Sequence, residues 1–325
     1  MRNNFPPVAD LAGCLRQLIM QVPAGRVTTC GDLARALGNS VAATWVGHYS
    51  LHHEHGDGCA CHRILRAGGA IGGFVAGSED DKIRLLRGEG VAVSQDTVDL
   101  NRFGFCDFIT ERPLARLREI QENIQAKIVI RPRRRIPKLV GGVDVSYPTP
   151  ETGVAAFALV ETDSGRLVWS ATVSRRVAFP YISTYLGFRE IPILLDLLDA
   201  VRAAGRLSDV LLVDGGGLLH QRRAGVASHL GVVASLPTVG VTKKPLFGQF
   251  DAEDIAPGES RPVVHQGHQL GFALRPTSGS RRPIFISPGH RVDLKYSERL
   301  VRRLLTGRRL PEPLYWADRI SRGKG

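Results

Sequence analysis

Three acidic residues each adjoin an apolar run that is typical of a buried strand. They are Asp144 in VGGVDVSY, Glu190 in YLGFREIP and Asp214 in VLLVDGGG. Burying a carboxylate beside such a strand costs free energy unless another group compensates its charge. We therefore expect the three to converge on a shared cation, and ligand sets made only of oxygen favour Mg²⁺ or Mn²⁺. These ions promote the hydrolysis of phosphodiester bonds, so the pattern indicates a metal-dependent nuclease.

The charge and composition of the chain fit a protein that binds a polyanion. The 325 residues carry a formal net charge of +12, and basic residues cluster in the run from Arg131 to Arg135 and at positions 299, 302, 303, 308 and 309. Nucleic acid suits such a surface, because each neutralised phosphate releases condensed counterions. The sequence shows no apolar stretch of membrane-spanning length, no signal-peptide core and, with five irregularly spaced cysteines, no disulfide framework. We expect a cytoplasmic protein without a membrane partner, and the sequence identifies no protein partner.

The chain divides into two parts with different element patterns. Residues 1–100 contain short helical segments separated by Gly-rich turns, as in DLAGCLRQLIMQV, CGDLARALG and NSVAATWVGHYSLH. This predicts a mostly helical domain with a helix-turn-helix unit of the winged-helix-like kind. Residues 101–111 are predicted to be a linker whose apolar side chains favour packing, and residues 112–325 a second domain.

The second domain begins with an amphipathic helix, RPLARLREIQENIQAKIVI, followed by three strand candidates. These are LVGGVDVSY, GVAAFALVETD and RLVWSATVSRRV, and the turn signals between them favour an antiparallel meander. A helix (IPILLDLLDAVRAAG), a strand (DVLLVDGGG), a helix (RAGVASHLGVVA) and a strand (TVGVTK) then alternate, which indicates a parallel continuation. An α/β mixed sheet of this kind, with acids at strand ends, is typical of the ribonuclease H-like fold.

Six ordered motifs make the second domain resemble endonuclease V, a family that nicks DNA near deaminated bases. They are GVDVSY, PYISTYLGFRE, VDGGGLLHQRRAG, GVTKKPL, SPGHRVDL and RLPEPLYWAD, within about residues 112–322. The resemblance implies a ribonuclease H-like enzyme that uses Mg²⁺, which Mn²⁺ can replace. It also implies cleavage of the second phosphodiester bond 3′ to hypoxanthine.

The same motifs imply roles for five residues. Asp144, Glu190 and Asp214 would bind the metal, Lys243 would contact the phosphate near the cut, and His290 would complete the site. Metal-bound carboxylates activate the phosphorus centre and the attacking water. A lysine and a histidine can neutralise charge on the phosphorane or protonate the leaving oxygen.

Pro180, Tyr181 and Ile182 match the wedge that, in this family, fills the gap left when the damaged base flips out. An apolar plug replaces lost stacking. The alternative is a strand end whose tyrosine packs in the core. Ser183 stands where the family usually has Pro, which would make the wedge less rigid.

Gly215 and Gly216, followed by Gly217, match the family's hypoxanthine pocket, where they would let backbone approach the flipped base. They fit equally well a tight turn that needs positive φ. His220 and Arg222 stand in the segment that the family usually reads as His-Pro-Arg. Ribonuclease H and resolvases share the fold and the carboxylates, but the six motifs argue against both. Cleavage of inosine-containing RNA stays open beside cleavage of DNA.

The first domain resembles the DNA-binding, active-site domain of O6-alkylguanine-DNA alkyltransferases over about residues 8–94. The matching segments are VPAGRVTTCGDLARALGN, CACHRILRAGGAIGGFVAG and KIRLLRGEG. The resemblance implies that Cys61 takes the alkyl group from guanine, that His62 deprotonates Cys61 through a water, that Glu89 orients His62 and that Arg63 contacts DNA. The nucleophile in such a transfer is a thiolate, which needs a nearby base to form. The expected partner of the whole chain is single- or double-stranded DNA with deaminated or alkylated bases.

Three departures from the alkyltransferase pattern leave the role of this domain open. Ala60 replaces the usual Pro, Cys30 the Tyr that rotates the target phosphate, and Thr44 the Arg that fills the space of the flipped base. We favour an active alkyl acceptor, because cysteine, histidine and acid persist together. One alternative is a non-catalytic DNA clamp that raises the nuclease's local concentration. Another is a Zn²⁺ site in residues 52–62, but the Cys and His spacings there match no standard zinc pattern, which favours a solvated loop.

Overall fold

The computed structural model describes residue 5 and residues 8–56, 58–277 and 279–324. The chain forms two compact units, which we call the helical unit and the sheet unit. The helical unit comprises residues 8–119 and 179–183, and the sheet unit comprises the rest of the chain. The division falls between Glu119 and Ile120, whereas the sequence places the second domain's start at residue 112. None of the described helices is both long and apolar enough to cross a membrane.

Short elements make up the helical unit, as the Gly-rich turns predict. In chain order they are α1 (Leu11–Met20), β1 (Thr28–Thr29), α2 (Cys30–Ala36), α3 (Ala43–His52), β2 (Ile64–Leu65), α4 (Glu79–Gly88), β3 (Val93–Ser94), β4 (Thr97–Val98), α5 (Leu100–Phe103) and α6 (Pro113–Ala126), the helix in which the division falls. β1 pairs in parallel with β2, and β3 pairs antiparallel with β4. The predicted mostly helical character of this part of the chain is confirmed.

Side-chain caps fix the starts of α2 and α4. Thr29 and Asp32 form a reciprocal capping box at α2, and Ser78 and Asp81 form another at α4. The predicted linker is hydrogen-bonded into the same unit: the Phe105 N–H donates to the Val27 carbonyl at 2.7 Å. Residues 101–111 therefore form part of a folded domain.

The sheet unit is built on one sheet flanked by helices. Its elements are β5 (Leu139–Thr149), β6 (Thr152–Glu161), β7 (Leu167–Arg176), α7 (Leu186–Ala203), β8 (Leu211–Asp214), α8 (Val226–Ala234), β9 (Thr238–Thr242), β10 (Ser260–His265), β11 (His268–Leu274), β12 (Ile284–His290), α9 (Leu294–Arg303) and α10 (Glu312–Ser321). The strand order is β10-β11-β12-β9-β8-β5-β6-β7. β5, β8 and β9 run parallel, and the other pairs are antiparallel. The predicted meander, the parallel continuation and the mixed sheet are confirmed.

Each face of this sheet has its own apolar core. Val143 and Val213 pack with α7 and α8 on one face, whereas Val140 and Leu212 pack with α9 and α10 on the other. This alternation follows from the period of two along a strand. Because Asp144 and Asp214 are even-numbered on the same strands as Val140 and Leu212, they lie on the face that α10 covers.

One predicted element is wrong: Glu190 does not follow a strand. It is the fifth residue of α7, which begins at Leu186, well before the Pro192 at which a helix start would be expected. The apolar run around Glu190 is buried because that helix packs onto the sheet, and a short apolar run cannot by itself distinguish a buried strand from a buried helix. Asp144 also differs from the expectation, since it lies within β5 and not at its end.

Gly142 lets α10 approach β5 closely. A Cβ at this position would lie 2.5 Å from the carbonyl carbon of Pro313 in the first turn of α10, closer than real Cβ contacts. The last turn of the same helix is also attached to β5, because the Ser146 hydroxyl donates to the Ser321 carbonyl at 2.6 Å. The absence of a side chain at residue 142 therefore sets the position of the whole helix.

We expect Gly142→Ala to lower the free energy of unfolding of the sheet unit by about 1–3 kcal/mol, because the added methyl must displace helix backbone. Urea unfolding followed by tryptophan fluorescence measures this change. Gly88→Ala is the matched control, since a Cβ there meets no atom within 4 Å and Gly88 lies at the end of a helix. Equal stability of the two variants would refute the steric role of Gly142.

Candidate functional site

The strand register places two of the predicted acids side by side. The parallel strands β5 and β8 pair Val143 with Val213. The next position on each strand is Asp144 on β5 and Asp214 on β8, so the two carboxylates lie on neighbouring strands, which are spaced about 4.8 Å apart. Asp144 is buried and Asp214 is half-buried.

A third carboxylate comes from α10, and sequence reasoning missed it. One oxygen each of Asp144, Asp214 and Asp318 lie within 4.8 Å of one another. The Ser321 hydroxyl, one turn further along α10, donates to Asp144 Oδ2 at 2.8 Å. Asp318 is part of the RLPEPLYWAD motif, which could have drawn attention to it. However, nothing in the pattern of an amphipathic helix indicates that one of its acids lies close to strands far upstream in the chain.

Lys243 provides the positive charge of this carboxylate cluster. Asp214 pairs with Val241 on β9, and Lys243 follows two residues later, so it points to the same face of the sheet. Its Nζ donates to Asp214 Oδ2 at 3.0 Å and to Asp318 Oδ1 at 2.9 Å. The predicted lysine thus lies within the cluster and joins two of its three aspartates.

The pKa values of the clustered aspartates and of Lys243 depend on burial and on the charges that they exert on one another. Burial and, after it, the charge of Asp214 raise the pKa of Asp144 to about 7. Burial would raise the pKa of Asp318 too, but the hydrogen bonds and charges of Lys243 and Arg322 together outweigh burial, and the pKa is lowered. Burial would lower the pKa of Lys243, yet the carboxylates of Asp214 and Asp318 raise it. The lysine is therefore a firmly held cation, and Asp144 is the acid left without full compensation.

Glu190 acts on the same cluster electrostatically, from α7 on the other face of the sheet. Burial, followed by the charges of Asp214 and Asp144, raises its pKa well above the ordinary value. Burial and the Glu190 charge raise the pKa of Tyr147, whose ring stacks 4.1 Å from the Arg189 guanidinium. Glu190 is not among the three residues with clustered oxygens.

The donor set fits a small hard divalent cation. Around Mg²⁺ with metal–oxygen distances of about 2.0–2.1 Å, adjacent ligand oxygens lie about 2.9 Å apart and opposite ones about 4.2 Å apart. Three carboxylate oxygens within 4.8 Å reach such spacings with small side-chain rotations. The raised pKa values of Asp144 and Glu190 favour their neutral forms. A bound divalent cation would balance their negative charge, so both groups would lose their protons.

His290 lies elsewhere, so its predicted place in this site is not supported by the geometry. It pairs with Thr238, at the first residue of β9, whereas Asp214 pairs with Val241 near the other end of that strand. Its Nδ1 accepts a hydrogen bond from the Val129 N–H at 3.2 Å, and burial, with nearby arginines, lowers its pKa to about 4. His290 is a neutral side chain that fastens the segment after α6 to the sheet.

His220 and Arg222 hold one strained residue in place. Thr184 has φ +67°, a left-handed conformation that a β-branched residue rarely adopts. Its carbonyl accepts from His220 Nε2 at 3.0 Å and from the Arg222 guanidinium at 2.9 Å. Burial, followed by the charge of Arg222, lowers the pKa of His220 to about 4, so the imidazole is a neutral donor. Both residues therefore fix the chain just after the predicted wedge.

The wedge residues are not a strand, since β7 ends at Arg176, and Tyr181 is 68% exposed. The alternative of a core tyrosine is therefore wrong, although Ile182 is buried and Pro180 is half-buried.

The glycines after Asp214 serve close backbone packing. Gly215, Gly216 and Gly217 are not among the residues with positive φ, which excludes the turn alternative. A Cβ on Gly217 would collide with the carbonyl oxygen of Pro288, and a Cβ on Gly216 would lie 3.0 Å from the Leu219 carbonyl oxygen. The segment after β8 can therefore lie only where side chains are absent.

The helical unit brings the predicted histidine and acid together. His62 Nε2 lies 2.8 Å from Glu89 Oε1, and the Gly25 N–H donates to Glu89 Oε2 at 3.3 Å. Arg63 makes a two-pronged contact with the same carboxylate and donates to the Val22 carbonyl at 2.6 Å. Burial would raise the pKa of Glu89, but the Arg63 and His62 contacts lower it to about 2. Arg63 is thus occupied within the unit and holds Glu89 in place.

Cys61 begins a short 3₁₀ segment and is buried, and its sulfur lies 3.4 Å from His55 Nδ1. Burial and then neighbouring Cys59 raise its pKa to about 12. Lys82 is a buried cation near it that sequence reasoning missed: its ammonium donates to the Ile71 carbonyl at 2.7 Å, and burial lowers its pKa to about 8. A lysine on an amphipathic helix gave no signal of this position.

A mixed α/β sheet with clustered carboxylates and an adjoining lysine is the arrangement of a metal-dependent phosphodiesterase. The endonuclease V family profile matches residues 122–319, and that of the 6-O-methylguanine DNA methyltransferase DNA-binding domain matches residues 14–91. The chain belongs to the endonuclease V family and carries an alkyltransferase-type DNA-binding domain before it.

Similar proteins match either nearly the whole chain or about two thirds of it. A bifunctional methyltransferase/endonuclease of Picrophilus torridus is 32% identical over 91% of this chain and 90% of its own length. The catalytic domain of human endonuclease V is 35% identical, with a TM-score of 0.61 over 66% of this chain and 96% of that one. Ciona intestinalis endonuclease V in complex with inosine-containing DNA is 28% identical, with a TM-score of 0.58 over 66% and 98%.

We expect Asp144→Asn to stabilise the metal-free protein increasingly as pH rises from about 4 to about 7. The pKa of Asp144 is raised from 3.8 to about 7 in the folded protein. Between these two pH values the carboxyl ionises more readily in the unfolded chain than in the folded one, so the wild-type protein loses stability as pH rises. Urea unfolding in chelator at pH 5 and pH 8 measures the difference between the two proteins.

The control for this experiment is Asp163→Asn, which alters an aspartate with a 77% exposed side chain. We expect its stability relative to wild type to stay level over the same range. If Asp144→Asn behaved like this control, the assigned electrostatics of the cluster would be wrong.

Proposed function

We propose that this chain is a DNA repair enzyme whose sheet unit nicks DNA containing deaminated bases and whose helical unit accepts alkyl groups from O6-alkylguanine. For the nuclease, the supporting observation is the convergence of Asp144, Asp214 and Asp318 beside Lys243. The strand order β7-β6-β5-β8-β9, with an antiparallel meander followed by parallel strands, supports a ribonuclease H-like core.

Asp144, Asp214 and Asp318 would hold Mg²⁺, or Mn²⁺ in its place, and Glu190 would add negative charge from the opposite face. At this site a bound ion would polarise the phosphate and lower the pKa of an attacking water. Lys243, held between two aspartates, neutralises charge on the phosphate as it develops. Ser321 fixes the carboxylate of Asp144 by donating to Oδ2, so that the other oxygen stays available.

The substrate of the nuclease is duplex or single-stranded DNA with hypoxanthine, cut at the second phosphodiester bond on the 3′ side. Tyr181, exposed on the segment that Thr184 terminates, is the wedge that replaces the flipped base in the stack. His220 and Arg222 support it by holding the Thr184 carbonyl. The glycines 215–217 supply the close-packed backbone of the base pocket.

The second activity is supported by the contact of 2.8 Å between His62 and Glu89. Glu89 is held as an anion and orients the imidazole, which receives the Cys61 proton through a water. The sulfur–carbon bond forms as the bond from carbon to guanine O6 breaks, and the proton passes to the departing guanine. Arg63 acts as a positioning residue for Glu89. Cys30 lacks the group that would rotate the target phosphate, and Thr44 lacks the group that would fill the space of the flipped base, so transfer is expected to be slow.

For the nuclease, we expect Asp318→Asn and Asp214→Asn each to lower nicking of a deoxyinosine-containing duplex by about 100-fold or more, because each removes a charge that holds the metal. Nicking in Mg²⁺ on labelled oligonucleotides, with DNA binding measured on the same samples, checks this result.

Asp163→Asn and His290→Gln serve as controls and should retain nicking, the second because His290 lies away from the carboxylates. Full activity of Asp318→Asn, or loss of activity in His290→Gln with folding intact, would contradict the assigned cluster. A preference for inosine-containing RNA over the DNA duplex would change the substrate and leave the site unchanged.

For the helical unit, we expect intact protein incubated with a duplex containing O6-methylguanine to gain the mass of one methyl group, mapped to Cys61 by peptide mass spectrometry. Cys61→Ala should abolish the gain and spare nicking, while Cys106→Ala, which removes an exposed thiol, should leave both. An unmodified Cys61 in protein that still nicks would make the helical unit a non-catalytic DNA clamp.

A further inference from the structure

The loop between α3 and Cys61 gathers four metal-ligating side chains. One atom each of His53, His55, Cys59 and Cys61 lie within 4.8 Å of one another. His53 is the first residue beyond α3, and Cys61 opens the following 3₁₀ segment, so both ends of the loop are anchored in regular structure. The spacing His-x-His-x₃-Cys-x-Cys is read from the sequence, but only the path of the loop shows that the four side chains face each other.

The distances match those expected around one zinc ion. His53 Nε2 lies 3.2 Å from the Cys59 sulfur, and His55 Nδ1 lies 3.4 Å from the Cys61 sulfur. A tetrahedral site with Zn–S of about 2.3 Å and Zn–N of about 2.0–2.1 Å places neighbouring ligand atoms about 3.3–3.8 Å apart. Two of the six ligand pairs are therefore already close to these separations, and the other pairs lie within 4.8 Å.

The position of His53 is fixed as a metal ligand requires. Its Nδ1 lies 3.0 Å from the Tyr49 carbonyl, to which it donates, and its ring stacks on the Tyr49 ring at 5.1 Å. A donor bond from one ring nitrogen to a carbonyl leaves the other nitrogen as an unprotonated ligand, the usual outer-sphere arrangement of zinc histidines. The His55 ring packs edge-on against Phe74 at 5.9 Å, which orients the second imidazole.

The charges of the group also fit zinc. Two thiolates and two neutral imidazoles around Zn²⁺ give a neutral unit, so the site can form beside the buried ammonium of Lys82 without repulsion. Sulfur and imidazole ligands in tetrahedral arrangement favour Zn²⁺ over the hard ions that the aspartate cluster would take. Binding releases the two thiol protons, because only the thiolate is a ligand.

We propose that His53, His55, Cys59 and Cys61 form a tetrahedral Zn²⁺ site that closes the loop onto the helical unit. All four ligands come from the protein, as in structural zinc sites. Since Cys61 is one of them, zinc and an alkyl group compete for the same sulfur. The site thus goes beyond the proposed activities, and it makes the alkyl acceptor available only in the zinc-free protein.

The test measures metal content of the full-length protein, purified with equimolar Zn²⁺ and dialysed against excess Mg²⁺ to clear zinc from the aspartate cluster. We expect one zinc per chain in wild type and at least a tenfold lower content in Cys59→Ser and His53→Asn. Substitution with Co²⁺ should produce thiolate-to-metal charge-transfer absorption, which a carboxylate site does not give. The variants should retain wild-type nicking, which shows that the sheet unit is folded, and a wild-type far-UV circular dichroism spectrum, which shows the same for the helical unit.

Matched controls come from neighbouring residues of the same types. His52→Asn and Cys106→Ser should keep one zinc, because His52 stacks on His48 and Cys106 is exposed, and neither belongs to the group. Zinc-loaded wild type should also gain no methyl group from O6-methylguanine DNA until the metal is chelated. A folded, nicking wild type that keeps no zinc, or zinc content unaffected by Cys59→Ser and His53→Asn, would overturn the proposal without touching the nuclease assignment.

Discussion

Repulsion between buried carboxylates at the centre of the sheet is the constraint on which the sheet unit depends. Asp144 and Asp214 are neighbours by strand register, and Glu190 adds its charge from the opposite layer. Lys243 bridges two of the aspartates through its ammonium group. Arrangements of this kind persist only when surrounding structure enforces them, and here the enforcing elements are the two helical layers packed on the sheet. A divalent cation would supply the positive charge that lets all of these carboxyl groups ionise.

Close approach of α10 is the second condition. The helix carries Asp318 and Ser321, and it reaches β5 only because residue 142 has no side chain. Residues 141–145 of β5 therefore serve two purposes: they place Asp144, and they leave room for the helix that completes the site. A side chain at Gly142 would act on the site from a distance, through the position of the helix.

The sequence predicts the parts of this architecture that depend on local pattern. Alternation and turn signals gave the meander, and apolar runs ending in acids identified Asp144 and Asp214. Glu190 was assigned to the wrong element, because an apolar run of that length fits a strand and a helix equally. Asp318 was missed, and His290 was expected beside the carboxylates, whereas the structure places it near the other end of β9. Neither position can be read from the sequence before the sheet order is known. The sequence spacing of the His53–Cys61 group matches no standard zinc pattern, which favoured a solvated loop. Spacing alone does not show that the fold of this loop brings the four side chains together.

The two candidate metal sites differ in ligand chemistry in a way that would keep their ions apart. The aspartate cluster offers oxygen only and is open to Mg²⁺, which is abundant and weakly bound, whereas the His–Cys group offers nitrogen and sulfur. Zinc binds many ligand sets more strongly than magnesium, so the cluster would also accept zinc if the metal were free. A high-affinity thiolate site in the same chain would lower the free zinc around the nuclease. One of the two sulfur ligands that make this site soft is Cys61, the residue that alkyl transfer would consume, so alkylation would remove that ligand. Alkylation of Cys61 would therefore weaken zinc binding by the helical unit. The zinc content of the protein would then depend on whether Cys61 is alkylated.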